Sequence, residues 1–259
     1  MNRTVAIVQA RVGSSRLPGK VLKRLKQRTV LAEVLERVAA IPGVSSVVCA
    51  TSLEMEDDPV ALEASNVGAE VFRGSLLDVL ARYRGAALSA QADVIVRVTS
   101  DCPLIDPTVC GAVIKLLEDA DADYAANNLL RGFPHGLDCE AFTFQLLERA
   151  HHEAMAPEER EHVGPWMRSM EGIRRASLQG PGGDALKQRW TLDYPADFEF
   201  LSALFRELGD LQVFPHWRCI MHMVEVVPEL SALQDRCRVS ADLEVPDVQV
   251  IATRKYEDA

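Results

Sequence analysis

The sequence predicts an α/β protein: a mostly parallel central sheet with helices on both faces, plus a smaller inserted lobe. Three observations carry that expectation. Short apolar runs rich in β-branched residues alternate with segments of helical period between Val5 and Val98. Such alternation implies right-handed strand–helix–strand crossovers. The length, 259 residues, lies within what one α/β domain reaches, so residues 1–259 are read as a single domain. Past Ala126 the rhythm changes, because Asn127 to Asp138 carries Gly, Pro and Asn with no clear period, and this marks the inserted lobe at residues 127–180.

Taken in order, Val5-Ala6-Ile7-Val8 reads as a buried strand and Gln9 to Lys20 as the loop after it. Thr29 caps a helix over Val30 to Ala40, where Val30, Val34, Leu35 and Val38 recur at helical spacing and Pro42-Gly43 ends the run. Val47 to Ala50 is the second strand. Asp57 or Asp58 caps a helix with Pro59 in its first turn, Glu70 to Phe72 is the third strand, and a helix runs from Leu77 to about Ser89. Val94 to Val98 is the fourth strand, and Asp106 before Pro107 caps the helix after it. Beyond the irregular stretch, Thr143 to Glu153 and Pro157 to Met170 read as helices, and Ile173 to Leu178 and Arg189 to Leu192 as strands. Ala196 to Leu208 and Pro228 to Arg236 read as helices, and Lys255 to Ala259 as a frayed tail. The first half is Rossmann-like.

Composition narrows the function. A hydrophobic share of 48% and a charged share of 25% are those of an ordinary soluble globular protein. The net charge of -10 argues against a general nucleic-acid binder, which needs a phosphate-neutralising surface, but leaves room for a local basic pocket. No run reaches the roughly 18 apolar residues of a membrane span, and Met1-Asn2-Arg3-Thr4 leads into a strand pattern, so a cytoplasmic protein without membrane contact is expected. The six cysteines form no CxxC pair, so neither a zinc ribbon nor a disulfide scaffold is indicated.

The segment Ala10 to Lys20 follows the first strand directly, and open α/β sheets bind ligands at the carboxyl ends of their strands. Its glycines let backbone N–H groups approach phosphate oxygens, while Arg11, Arg16 and Lys20 supply positive charge in an acidic chain. It is not a P-loop: five residues separate Gly13 from Gly19, and Val21 follows Lys20 where a Ser or Thr is needed. It is not a dinucleotide fingerprint either, because Pro18 stands where that tight turn belongs. Asp101 follows the fourth strand and so projects into the same crevice. A carboxylate beside a polyphosphate needs a hard cation between them, which makes Asp101 a candidate Mg²⁺ ligand.

These segments resemble one family. The Ala10 to Lys20 loop, Ala50-Thr51-Ser52 with Asp57-Asp58, and Val71-Phe72-Arg73-Gly74-Ser75 with Asp78 and Arg82 are similar to the cytidylyltransferases that activate acidic sugars. So are Thr99-Ser100-Asp101-Cys102-Pro103-Leu104 and Leu192-Asp193-Tyr194-Pro195. That is the family of CMP-Kdo and CMP-sialic acid synthetases, with the nearest likeness to its SpsF-like, spore-coat-polysaccharide branch.

The resemblance implies CMP transfer from CTP to an acidic sugar or related small anionic acceptor, with release of pyrophosphate. Lys20, Arg16 and Arg11 then hold the triphosphate, Lys20 meeting charge that develops toward pyrophosphate. Ala10, Gly13, Ser14, Thr51, Arg73 and Ser75 are the nucleotide-binding set, the last three lining base and ribose. Asp193 joins Asp101 on Mg²⁺, against a capping role at the next helix; Asp197 stabilises that helix start. Asp78 and Arg82 are four apart and fit a helical ion pair as well as a nucleotide contact. The resemblance also implies a homodimer and an acceptor side among Asn127, Asn128, Arg131, His135, Asp138, Glu140 and Arg160-Glu161-His162. Trp190 either walls the acceptor pocket or belongs to the core. The alternatives are another NTP, a phosphate or phosphonate acceptor, or a catalytically silent sugar-nucleotide binder.

Overall fold

Strand β1 (Thr4–Gln9) is apolar at successive positions because it is buried on both faces: Ala6 and Val8 enter one core, Val5 and Ile7 the other. In the computed structural model, which describes residues 2–209, 213–237 and 248–257, this strand lies inside an eight-stranded sheet. A short hairpin, β2 (Arg24–Leu25) with β3 (Arg28–Thr29), leads into α1 (Val30–Ala39), capped by Thr29 Oγ1, which accepts from Ala32 N–H at 3.1 Å. A ten-residue helix is marginal alone. Burial of Val30, Leu31, Val34, Leu35 and Val38, at about 1.5–3 kcal/mol each, holds it to the sheet.

The chain steps outward from β1 to β4 (Ser46–Ser52) and, through α2 (Asp58–Asn66), to β5 (Glu70–Gly74). It then returns through α3 (Val79–Ser89) to β6 (Val94–Thr99) on the other side of β1, so Ala6 pairs with both Val47 and Val96. The connections after β1 and β6 therefore diverge, and the crevice between them is the topological switch point where ligands bind in such sheets. Helix α4 (Pro107–Asp119) leads on to β7 (Tyr124–Ala126) and β8 (Glu140–Thr143); β8 pairs antiparallel with both β6 and β7. After α5 (Phe144–Glu153), α6 (Pro157–His162) and α7 (Gly164–Ser169), β9 (Arg175–Gln179) pairs parallel with β7. Three helices follow, α8 (Pro195–Leu208), α9 (Trp217–Val226) and α10 (Pro228–Gln234), before β10 (Ala252–Lys255) pairs parallel with β9. Among the described residues only β8 runs against the sheet, and no helix is long and apolar enough to cross a membrane.

Four expectations change. The helix expected over Pro157 to Met170 is two helices, because Val163 adopts φ 65°, ψ -56° between them and Pro165 restarts the second. Arg189 to Leu192 is a connector with one bridge to His135; its amides go to two loops, Trp190 N–H to His135 O at 2.7 Å and Leu192 N–H to Asp101 O at 2.8 Å. The expected tail begins inside β10, since Lys255 pairs with Gln179; Asp258 and Ala259 lie outside the described residues. Asp57 precedes α2 without capping it by its side chain, which serves the loop after β1 instead.

Candidate active site

The loop after β1 is shaped by its neighbours. Asp57 Oδ1 accepts from Val12 N–H at 2.6 Å and Oδ2 from the Ser52 hydroxyl at 2.5 Å, which ties the loop to the end of β4. Gly19 closes the loop by donating to Val12 O at 3.1 Å. Its φ of 66° lies in the left-handed region that a side chain disfavours. Leu17 and Val21 anchor the loop in the core. Ala10, Arg11, Gly13, Ser14, Arg16 and Lys20 all line a cleft of about 730 Å³ at the carboxyl edge of β1 and β6.

Asp101 and Asp193 line the same cleft, from opposite sides of Lys20. Lys20 Nζ donates to Asp101 Oδ2 at 2.7 Å and to Asp193 Oδ1 at 2.9 Å. Arg16 Nη2 reaches Asp193 Oδ1 at 3.0 Å, and its Nη1 donates to the Tyr194 hydroxyl at 3.2 Å. Burial pulls the Lys20 ammonium down, but the two carboxylates outweigh it and hold the group above the ordinary lysine range. For Asp193 burial pushes upward, and Lys20, Arg16 and Arg189 together hold the carboxyl below its usual range. The connector carrying Asp193 comes close because Leu192 donates its amide to Asp101 O.

Capping is done by other carboxylates. Asp106 Oδ1 accepts from Thr108 and Val109 N–H at 2.8 and 3.2 Å at the start of α4. Asp197 Oδ2 accepts from Asp193 and Tyr194 N–H at 2.8 and 2.9 Å at the start of α8. Asp101 and Asp193 are thereby left to the cleft. Their oxygens converge on one point, and two carboxylates plus phosphate oxygens form a donor set suited to Mg²⁺. Within the cleft Lys20 and Arg16 are already engaged by these carboxylates, and Arg11 by Glu161.

Thr51, Arg73 and Ser75, expected to line base and ribose, are not among the residues that line the cleft. Arg73 holds the turn after β4, with Nε on Ser52 O at 2.8 Å, Nη2 on Glu54 O at 2.8 Å and Nη1 on Asp58 Oδ1 at 2.5 Å. Two of these contacts satisfy carbonyls of that turn and the third is an ion pair with Asp58. Thr51 is fully buried, and Ser75 Oγ accepts from Asp78 N–H at 3.0 Å. Asp78 and Arg82 do not pair: Asp78 Oδ1 caps α3 through Ala81 N–H at 2.9 Å, its Oδ2 takes Arg160 Nη2 at 2.6 Å, and Arg82 donates to Ser75 O.

None of Asn127, Asn128, Arg131, His135, Asp138 and Glu140 lines the cleft. Asn127 pins its own loop to Leu137 O and Cys139 N–H, and Glu140 is buried between Arg97, at 3.1 Å, and Arg168. Burial pushes Glu140 up, and the two guanidiniums outweigh it to hold its carboxyl below the ordinary range. Trp190 is core, fully buried. Glu161 and His162 of α6, with Arg82 and Arg97, line the cleft instead; Arg11 pairs with Glu161 at 3.2 Å. Arg82 carried a sequence signal through the family motif and its spacing from Asp78, whereas Arg97 gave none, because it sits inside a strand run whose pattern speaks only of packing.

A family model described as cytidylyltransferase matches residues 5–211. The chain is 31% identical over 217 residues to the spore coat polysaccharide biosynthesis protein SpsF of Bacillus subtilis (strain 168), covering 81% of this chain and 89% of that one. It is 27% identical over 231 residues to a 3-deoxy-manno-octulosonate cytidylyltransferase of Anaeromyxobacter dehalogenans, covering 81% and 93%. The solved structure of a cytidylyltransferase from Leptospira borgpetersenii serovar Hardjo-bovis superimposes with a TM-score of 0.84 at 30% identity, covering 92% of this chain and 99% of that one.

Proposed function

The chain belongs to the cytidylyltransferase family and is a CTP-dependent nucleotidyltransferase, and on that premise we propose that it transfers CMP from CTP to an oxygen of a small anionic sugar. The observation that carries this reading is the convergence of Lys20, Asp101 and Asp193 at the switch-point crevice, beside a loop that offers Gly13 and Ser14 to phosphate. Arg11 and Arg16 bind the β- and γ-phosphates, and Lys20 stabilises charge that builds toward departing pyrophosphate. Asp101 and Asp193 would hold Mg²⁺, which when bound polarises the α-phosphate. No side-chain nucleophile is needed, because positioning and charge neutralisation carry phosphoryl chemistry of this kind.

Support for an acidic sugar comes from the relative named as a 3-deoxy-manno-octulosonate cytidylyltransferase and from Arg82, a cleft cation whose guanidinium meets the backbone carbonyls of Ser75 and Leu76. In this reading residues 1–259 act as one nucleotidyltransferase domain, and the lobe at 127–180 lends α6 to the acceptor side and pairs two copies into a dimer. Dependence on CTP supports a cytoplasmic site of action. The test is a pyrophosphate-release screen that crosses the four NTPs with acidic sugars and small phosphorylated acceptors. Release with CTP and an acidic sugar supports the proposal; release only with a purine nucleotide, or only with phosphate acceptors, overturns the corresponding half.

A further inference from the structure

Lys20 occupies the place where an ion shared by Asp101 and Asp193 belongs. Its Nζ lies 2.7 Å from Asp101 Oδ2 and 2.9 Å from Asp193 Oδ1, the two oxygens on which the site converges. Mg²⁺ needs oxygen ligands at about 2.0–2.1 Å, so an ion bound to both oxygens overlaps the ammonium in space and repels it in charge. The remaining oxygens do not converge on a shared point in the cleft: each has a neighbour of its own. Asp193 Oδ2 is taken by Arg189 at 2.9 Å, and Asp101 Oδ1 faces the Cys102 thiol at 3.7 Å.

Of the three cations on Asp193, Lys20 alone also holds Asp101, and it alone stands on a flexible four-carbon stem. Its backbone is held by Lys20 N–H on Leu17 O at 3.2 Å, so a change of partner falls to the four-carbon side chain. Arg189 is buried and forked across Asp193 and Asp197, so it has no second position to adopt. The ammonium leaves the carboxylates only for another anion, and the loop from Ala10 to Arg16 is where a polyphosphate presents one.

We propose that Lys20 is a resident counter-cation that closes the metal site of the free enzyme, and that the triphosphate opens it by drawing the ammonium onto its own oxygens. This rests on the nucleotidyl-transfer reading, which brings the triphosphate to this cleft. Metal and nucleotide are then coupled through one side chain. Coupling is reciprocal: the nucleotide raises metal affinity by the factor by which the metal raises nucleotide affinity. Metal alone binds poorly, and nucleotide alone leaves two carboxylates without their counter-ion.

The experiment uses Mn²⁺ alone as the probe, counted by the electron paramagnetic resonance signal of the free ion, on the full chain without nucleotide. Lys20→Met and the polar variant Lys20→Gln should each bind Mn²⁺ at least tenfold more tightly than the parent, and adding Asp101→Asn to Lys20→Met should remove the gain. A parent that binds Mn²⁺ as tightly as both variants, or a gain that survives Asp101→Asn, overturns the proposal. A second measurement reads the nucleotide half by thermal shift with CTP, Mg²⁺ and both together. The excess stabilisation from the pair should be larger in the parent than in Lys20→Met, because chelation of Mg²⁺ by CTP in solution is common to the two proteins; equal excess overturns that half. Failure of the cytidylyl reading looks different: the parent then shows no stabilisation by CTP and Mg²⁺ and releases no pyrophosphate, whatever the Mn²⁺ titration gives.

Discussion

Arg189 donates from Nη2 to Asp193 Oδ2 at 2.9 Å, and this contact decides which oxygen of Asp193 faces the cleft. The same guanidinium reaches Asp197 Oδ1 from Nε at 3.0 Å, and Asp197 Oδ2 accepts the amide of Asp193 at 2.8 Å. The Asp193 carboxylate is thus set from its backbone and from its far oxygen at once, leaving Oδ1 for Lys20 and Arg16.

Replacing Arg189 should therefore hurt twice. Arg189→Met leaves Asp197, 1% exposed, as an uncompensated buried charge, and breaking a buried pair of this kind costs about 3–5 kcal/mol. Arg189→Lys keeps the charge and loses the fork, so it should unfold at nearly the parent's urea midpoint while turnover falls roughly tenfold or more. Urea unfolding and turnover measured on both variants check this; a lysine variant with full turnover would remove the positioning role.

The basic loop separates into two kinds of cation. Lys20→Ala and Arg16→Ala should each lower turnover by roughly tenfold or more, since each loses a charge-assisted contact worth about 1.5–3 kcal/mol. Their stabilities should differ. The Arg16 side chain is 53% exposed and its removal should barely move the melting temperature, whereas Lys20, 14% exposed, separates two carboxylates that would face each other without it. Melting temperatures of the two ligand-free variants give the comparison; equal shifts would mean that the bridge seen at Lys20 carries no weight in solution.

The loop and Asp101 were legible in the sequence because their signal is local: charges, glycines and a strand end within a few residues. Asp193 was legible only through the family's motif, since nothing near it in sequence says that the connector bearing it is tied to Asp101 by a backbone bond 2.8 Å long. Arg73 is placed away from the cleft lining, and its sequence context gives no sign of that. An arginine at a strand end carries the same letter whether it meets a base or the carbonyls of the next turn, and here Ser52 and Glu54 claim it. The three-residue strand β7, Tyr-Ala-Ala, is too short to show a period of two, and the four-residue antiparallel β8 follows a stretch with no clear period. Helix α6 was seen, but its place over the cleft depends on the turn at Val163, whose φ of 65° a β-branched residue rarely adopts.

Acid should weaken the fold through Asp193. Its folded carboxyl is held below the ordinary range despite burial, so its contribution is fully present above the unfolded pKa, about 3.9, and is lost as pH falls through the lower folded value. Asp193→Asn removes that dependence. The stability gap between parent and variant, read by urea unfolding, should be constant from pH 7 to about 5 and shrink below about pH 4. A gap that stays constant down to pH 3 would place the Asp193 pKa in the folded protein close to its unfolded value. Glu140, held low by Arg168 and Arg97, should give the parent a second acid-sensitive step, which Glu140→Gln removes by the same reasoning.

The two cleft carboxylates should behave as one unit in catalysis. Asp101→Asn and Asp193→Asn keep the side-chain shape and remove a charge and a ligand oxygen, so lost turnover reports the charge and not the packing. Each should lower turnover by roughly a hundredfold or more if Mg²⁺ is held between them, and each should require more Mg²⁺ to reach half of its own maximal rate. Independent contributions would multiply in the double variant. A shared ion predicts otherwise, because the first substitution already disables it; the double variant should then be hardly slower than the more damaged single one. Geometry supports a shared ion, since Asp101 Oδ2 and Asp193 Oδ1 both lie within 3 Å of a single nitrogen, Lys20 Nζ. The measurement is a double-mutant cycle in kcat/KM with Mg²⁺ varied at fixed CTP. Multiplicative losses would mean that the carboxylates act separately, Asp101 on the ion and Asp193 as the anchor that aligns Arg16 and Lys20. In that case Asp193→Asn should leave the Mg²⁺ dependence unchanged and raise the KM for CTP.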